Sequence, residues 1–161
     1  MNLFERLANS GYIGKNNTIL DYGCGKGRVS FFLSSQLRCH CIGVEYDERI
    51  FEAAKRNKQS AVQAGRVELV CAKAEEYAVP DTADRFYFFN PFSVEILKRV
   101  MGRVRESWDG RERQFYFYYP SDEYLSYLMT VEELMFMDEI DCRDLFEGND
   151  PRERIIVFES G

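Results

Sequence analysis

Thr18-Ile-Leu-Asp-Tyr-Gly-Cys-Gly-Lys-Gly-Arg28 decides how the rest of this chain is read. An apolar, β-branched run from Thr18 to Leu20 reads as a buried strand, and three glycines follow at alternate positions, Gly23, Gly25 and Gly27. Val29, Phe32, Leu33 and Leu37 then recur at helical spacing, so a helix is predicted from about Arg28 to Leu37. Strand, glycine turn and helix bring bare main chain against a ligand at a helix N-terminus. A turn made only for geometry needs no carboxylate beside it, so Asp21 points to a ligand site.

Two phosphate-binding patterns fail on spacing. In G-x-G-x-x-G counted from Gly23, the third glycine falls on Arg28; in a P-loop the residue after Lys26 would be Ser or Thr, and it is Gly27. What remains is acidic-x-G-x-G-x-G, with a second acid, Glu45, ending the predicted strand His40–Glu45, 22 residues after Gly23. That is near the offset at which α/β folds set a carboxylate on a ribose.

Leu20-Asp21-Tyr22-Gly23-Cys24-Gly25-Lys26-Gly27 resembles the first motif of class I S-adenosylmethionine-dependent methyltransferases. The chemistry agrees, because an ammonium and a sulfonium favour nearby carboxylates whereas a pyrophosphate is repelled by them. The resemblance implies an α/β fold: a three-layer α-β-α sandwich around a Rossmann-like, seven-stranded, mostly parallel sheet with an antiparallel C-terminal strand. It also implies a single methyltransferase domain over residues 1–161 and S-adenosylmethionine as cofactor. Asp21, Gly23, Gly25, Gly27 and Glu45 then hold the cofactor, with Tyr46 over the adenine and Ala74 and Glu75 beside it. Lys73 stands where the family commonly has an adenine-binding Asp, and lysine cannot accept a hydrogen bond from the adenine amine.

Further along, Asp47 reads as a helix N-cap, Arg66–Cys71 as a third strand and Ala83–Phe89 as a central strand buried on both faces. Ser93 caps a helix carrying Val94, Leu97, Met101 and Val104, and Arg113–Tyr119 is a fifth strand closed by Pro120. Ser121 opens a short helix to Leu128; Leu134–Cys142 and Arg154–Phe158 follow without a helix between them, which implies an antiparallel edge hairpin. His40, the only histidine, starts its strand at the end away from the glycine loop and reads as non-catalytic.

Asn90-Pro91-Phe92, at the end of the central strand, is similar to the Asn/Asp-Pro-Pro-aromatic corner of methyltransferases acting on planar or amide nitrogens, with one proline missing. The resemblance makes Asn90, Pro91 and Phe92 the catalytic group, with Asn90 also at the cofactor, and the acceptor atom a nitrogen. A residue before proline is held extended, which aims the Asn90 carboxamide outward at a substrate N–H₂. Phe92, with Tyr118 and Tyr119, supplies an aromatic wall. The bland reading has Asn90-Pro91 merely end the strand and Phe92 join the core. A second functional reading is a non-catalytic module that binds S-adenosylmethionine or S-adenosylhomocysteine as a sensor; Lys73 and the short corner motivate it.

The net charge of −6 disfavours a broad nucleic-acid face and tilts the acceptor towards a small molecule or protein. The cluster Lys98, Arg99, Arg103 and Arg105 reads as a solvated helix face. Five cysteines with no C-x-x-C spacing imply reduced thiols and no metal, and the chain is expected in the cytoplasm with no membrane span. The N-terminal segment before the first strand is short for the family, which leaves the substrate side open or completed by a partner. An aromatic share of 15% is compatible with a homo-oligomeric interface.

Overall fold

The computed structural model describes residues 2–61 and 64–160. The elements run α1 (Leu3–Ala8), β1 (Thr18–Tyr22), α2 (Arg28–Leu37), β2 (His40–Glu45), α3 (Glu48–Ser60), β3 (Val67–Cys71), β4 (Arg85–Phe88), α4 (Val94–Glu106), β5 (Arg113–Tyr118), α5 (Asp122–Leu128), β6 (Leu134–Asp141) and β7 (Arg154–Ser160). Side-chain caps fix the helix starts: the Asp47 carboxylate accepts from the Arg49 and Ile50 amides, Ser93 Oγ from Ile96 and Ser121 Oγ from Tyr124. Each cap satisfies an amide that the helix leaves without a partner.

The strands form one sheet in the order β3-β2-β1-β4-β5-β7-β6. Only β7 runs against the others, pairing antiparallel with both β5 and β6. This is the Rossmann-like sheet expected, and it adds that β7 inserts between β5 and β6. The chain leaves β3 at one edge and re-enters at β4, beside β1, so the strand order reverses between β1 and β4. Ligands of open α/β sheets bind outside the carboxyl ends at such a reversal.

Residue alternation sends side chains to two cores. Tyr22, Phe86, Phe88, Phe115, Phe117 and Phe158 face Leu97, Val100, Met101 and Val104 of α4 and Tyr124 and Leu128 of α5. Ile19, Tyr87, Tyr116 and Val157 face Leu7 of α1 and Leu33 of α2. Because Phe86 lies opposite Phe115 and Phe88 opposite Phe117, their rings stack at 4.8 and 4.6 Å. Much of the aromatic surplus is therefore spent inside the sheet. Arg113 is buried at the start of β5, where its guanidinium donates to the carbonyls of Val104 and Ser107 at the C-terminal end of α4.

Strand boundaries differ from the sequence reading by one or two residues: β4 begins at Arg85, β6 ends at Asp141 and β7 runs on to Ser160. Arg66 belongs to a 3-10 turn, Ala64–Arg66, ahead of β3. The central strand stops at Phe88, leaving Phe89 55% exposed, and β5 stops at Tyr118 because Tyr119 takes φ +49°. Both strands end early because the chain turns sharply there, at Asn90 and at Tyr119. Among the described residues, no helix is long and apolar enough to cross a membrane, and no cluster of His, Cys, Asp and Glu could hold a metal ion.

Candidate cofactor and methyl-transfer site

Gly23 links the two halves of the site. Its φ is +68°, and a Cβ there would stand 2.6 Å from the Cβ of Pro91, so only glycine lets the loop lie against the Asn90–Phe92 corner. Gly25, at φ +58°, has nothing within 4 Å of where a Cβ would be, so that space is open for a ligand. Gly27 instead forms the start of α2, with the Phe31 ring over it.

Four of the loop's amides are already used. Gly23 and Cys24 donate to the Val44 carbonyl at 2.9 and 3.0 Å, and Gly27 donates to the Cys24 carbonyl at 2.9 Å. Gly25 donates to Glu45 Oε1 at 3.0 Å, and Glu45 Oε2 accepts from the Asp47 amide at 3.1 Å. A phosphate-binding loop keeps such N–H groups for the anion. With these spent on carbonyls and a carboxylate, the loop is built for a neutral or cationic ligand. Glu45 is 7% exposed and keeps accepting capacity beyond these two bonds.

A cavity of about 490 Å³ opens beside the loop, lined by Gly23, Val44, Glu45, Tyr46, Ala72, Lys73, Ala74, Glu75, Pro91, Phe92 and Ile96. It brings together most residues expected from the sequence: Gly23, Glu45, Tyr46, Ala74, Glu75, Pro91 and Phe92. Tyr46 is 69% exposed at its mouth. Apolar Val44, Ala72, Ala74, Ile96 and Phe92 suit a flat ring, while Glu45 and Glu75 suit hydroxyl and cationic groups. The residues fit an adenosyl sulfonium. Ile96 and Ala72 escaped the sequence reading, although Ile96 follows Phe92 by four positions at the start of α4.

Four expected site residues lie outside that lining: Asp21, Gly25, Gly27 and Asn90. Asp21 is buried behind the loop, where Ser30 Oγ donates to its Oδ2 at 3.1 Å; burial, with the nearby Glu45 carboxylate adding, pushes its carboxyl up to about 7. Asp21 therefore does not flank the cavity as its sequence position implied.

The corner also corrects the sequence reading. Asn90 is not extended but left-handed, at φ +39°, a conformation Asn tolerates better than most residues. Its carboxamide turns towards the end of β5: Nδ2 donates to the Tyr119 carbonyl, and Oδ1 accepts from the Ser121 amide at 3.2 Å. The expected outward aim gives way to this bridge because both strands end in sharp turns whose backbone groups need partners. The aromatic wall is also rearranged. Phe92 packs edge-on against Tyr22 and Phe88, whereas exposed Phe89 meets Tyr118 with centroids 4.7 Å apart. Tyr118 and Tyr119 are held by Glu153 and Asp150. The Phe92 carbonyl accepts from the Tyr124 hydroxyl, fixing the corner to α5.

The fold is an α/β one, and the cavity at its β1/β4 switch has a lining that suits an adenosyl cofactor. A family model for the methyltransferase domain matches residues 19–107, more than half of the chain. The chain belongs to this family, the class I S-adenosylmethionine-dependent methyltransferases, and its cofactor is S-adenosylmethionine. No curated protein sequence matches it. The solved structure of the mitomycin 7-O-methyltransferase MmcR matches 98% of the chain with a TM-score of 0.74 and 15% identity; the chain spans 53% of that protein. An RNA methyltransferase from Salinibacter ruber, in complex with S-adenosyl-L-homocysteine, matches 98% of the chain and 88% of its own length, with a TM-score of 0.66 and 16% identity. Precorrin-6y C5,15-methyltransferase from Geobacter metallireducens GS-15 matches 99% of the chain and 87% of its own length, with a TM-score of 0.70 and 14% identity. At these identities the likeness is one of fold, and a fold does not select an acceptor.

Proposed function

We propose that this enzyme transfers the methyl group to a nitrogen of a small-molecule or protein acceptor presented at Asn90–Pro91–Phe92. The observation that carries the reading is the clamping of that corner: Pro91 on Gly23, Asn90 across to Tyr119 and Ser121, and the Phe92 carbonyl on Tyr124. When bound, S-adenosylmethionine supplies a methyl group on a sulfonium, which is already a good leaving group. The chain's task is then positioning more than acid–base chemistry.

Glu45 would hold the ribose hydroxyls with its remaining lone pairs, and Tyr46, Ala74 and Glu75 would border the adenine. The Asn90 carboxamide has two acceptor lone pairs and two N–H donors, and its two bonds use one of each. The remaining lone pair on Oδ1 would accept a hydrogen bond from an acceptor N–H, at an angle set by Tyr119 and Ser121. Pro91 and Phe92 form an apolar cavity wall that excludes water from the reacting atoms.

Charge supports a small-molecule or protein acceptor. The net charge is −6, and three basic residues of α4 are neutralised locally, Lys98 by Glu95, Arg103 by Glu106 and Arg105 by Glu133. The test is a methyl-transfer screen over matched amine, hydroxyl and carbon acceptors with purified protein, the modified atom located by fragmentation mass spectrometry. Methyl on nitrogen is the expected result; methyl on oxygen or carbon would overturn the assignment.

A further inference from the structure

Among the described residues, Asp21 brings a carboxyl group into a place where no basic side chain pairs with it. It is 3% exposed, and among the described residues its hydrogen-bond donor is the Ser30 hydroxyl from α2. In the β-register it lies opposite Gly43 of β2 and Tyr87 of β4. The other titratable groups that interact with it are Glu45 and Cys41 of β2, Cys24 of the loop and Tyr87 of β4. All of these are acids, thiols or phenols. Among the described residues, no salt bridge reaches Asp21 or Glu45. A buried carboxylate without a cation is costly, and the neutral form is the ordinary way to avoid that cost. The Gly23, Cys24, Gly25 and Gly27 amides of the adjoining loop are spent on other acceptors and offer Asp21 no compensation.

We propose that Asp21 gives up its proton when the cationic donor binds, and that this favours the sulfonium donor over its neutral thioether product. The proton passes to solvent on donor binding and returns from solvent once methyl transfer has removed the sulfonium charge, so charge balances over the cycle. Asp21 is on this account a specificity-determining residue that acts through charge and not through contact with the acceptor. The inference rests on the S-adenosylmethionine assignment and is independent of the nitrogen-acceptor reading.

The test is calorimetry on the purified chain without acceptor, using S-adenosylmethionine and S-adenosylhomocysteine in buffers of differing ionisation enthalpy. At pH 7 the donor should release about half a proton per site and the product less, because the free carboxyl is about half protonated there. Donor affinity should rise about eightfold between pH 6 and pH 7.5, with a shallower rise for the product. Asp21→Asn should abolish the released proton and flatten the donor's pH profile. Ser30→Ala keeps the carboxyl but removes the hydrogen bond that lowers its pKa, so the midpoint should move to higher pH; this holds even where Asp21→Asn folds poorly. Donor binding with buffer-independent heats and equal affinity at both pH values would overturn the proposal while leaving the cofactor assignment intact. Absence of any binding by either compound would overturn both.

Discussion

The two loops at the carboxyl end of the sheet are built on opposite plans. Around β1 and β2, the glycine loop is tied down by neighbours within about one βαβ unit: the Val44 carbonyl and the Glu45 carboxylate, itself held by the Asp47 amide. Around β4 and β5, the Asn90 corner is held by groups 29 to 32 residues away, in Tyr119, Ser121 and Tyr124. One plan gives a module held by near neighbours in sequence; the other gives a corner whose shape depends on how distant turns meet. They touch at Gly23 and Pro91.

Gly23→Ala strikes that contact and should have the largest effect. Strain at φ +68° together with a Cβ 2.6 Å from Pro91 should cost about 3 kcal/mol of stability, read by chemical denaturation. A loss under about 1 kcal/mol would mean the two regions do not meet so closely. Glu45→Ala should weaken donor binding by about 2 to 4 kcal/mol by calorimetry, through lost charge-assisted bonds to the ribose and a released Gly25 amide. Unchanged affinity would break the claim that the first region is the cofactor platform.

Asp21 predicts a pH effect on the cofactor-free protein. Its folded carboxyl lies at about 7, well above the unfolded value, so the folded state binds the extra proton between about pH 4 and pH 7. Stability should fall as pH rises through that window and level off above it. Asp21→Asn should remove that slope and raise the melting temperature more at pH 8 than at pH 5. Asn90→Ala should cost about 1 to 2 kcal/mol of stability, from two lost hydrogen bonds and left-handed strain, while donor affinity stays unchanged and transfer falls. Transfer at the wild-type rate would make the corner purely structural. Tyr46→Ala, at an exposed position, should leave stability unaltered and weaken donor binding by about 1 kcal/mol, a typical loss for an aromatic contact.

The first region was legible because its information is local. Glycines at alternate positions, Asp21 before them and Glu45 one βαβ step later are chemistry written at short range, and the helix starts at Asp47, Ser93 and Ser121 follow from their own caps. The second region misled for the same reason: Asn-Pro on its own reads as extended, but the unpaired backbone groups of Tyr119 and Ser121 turn Asn90 inward.

The sequence by itself determined the order of strands and helices, the cofactor motif and the acidic partner in Glu45, since periodicity, caps and glycine spacing act within a few turns of chain. Only the tertiary structure decided that β7 slots between β5 and β6, that Asp21 is sealed behind the loop, that Phe92 and Phe89 take opposite faces, and that Gly23 is glycine for the sake of Pro91. Those outcomes depend on which distant groups burial brings together, and on the need to satisfy or neutralise every polar group that goes with them.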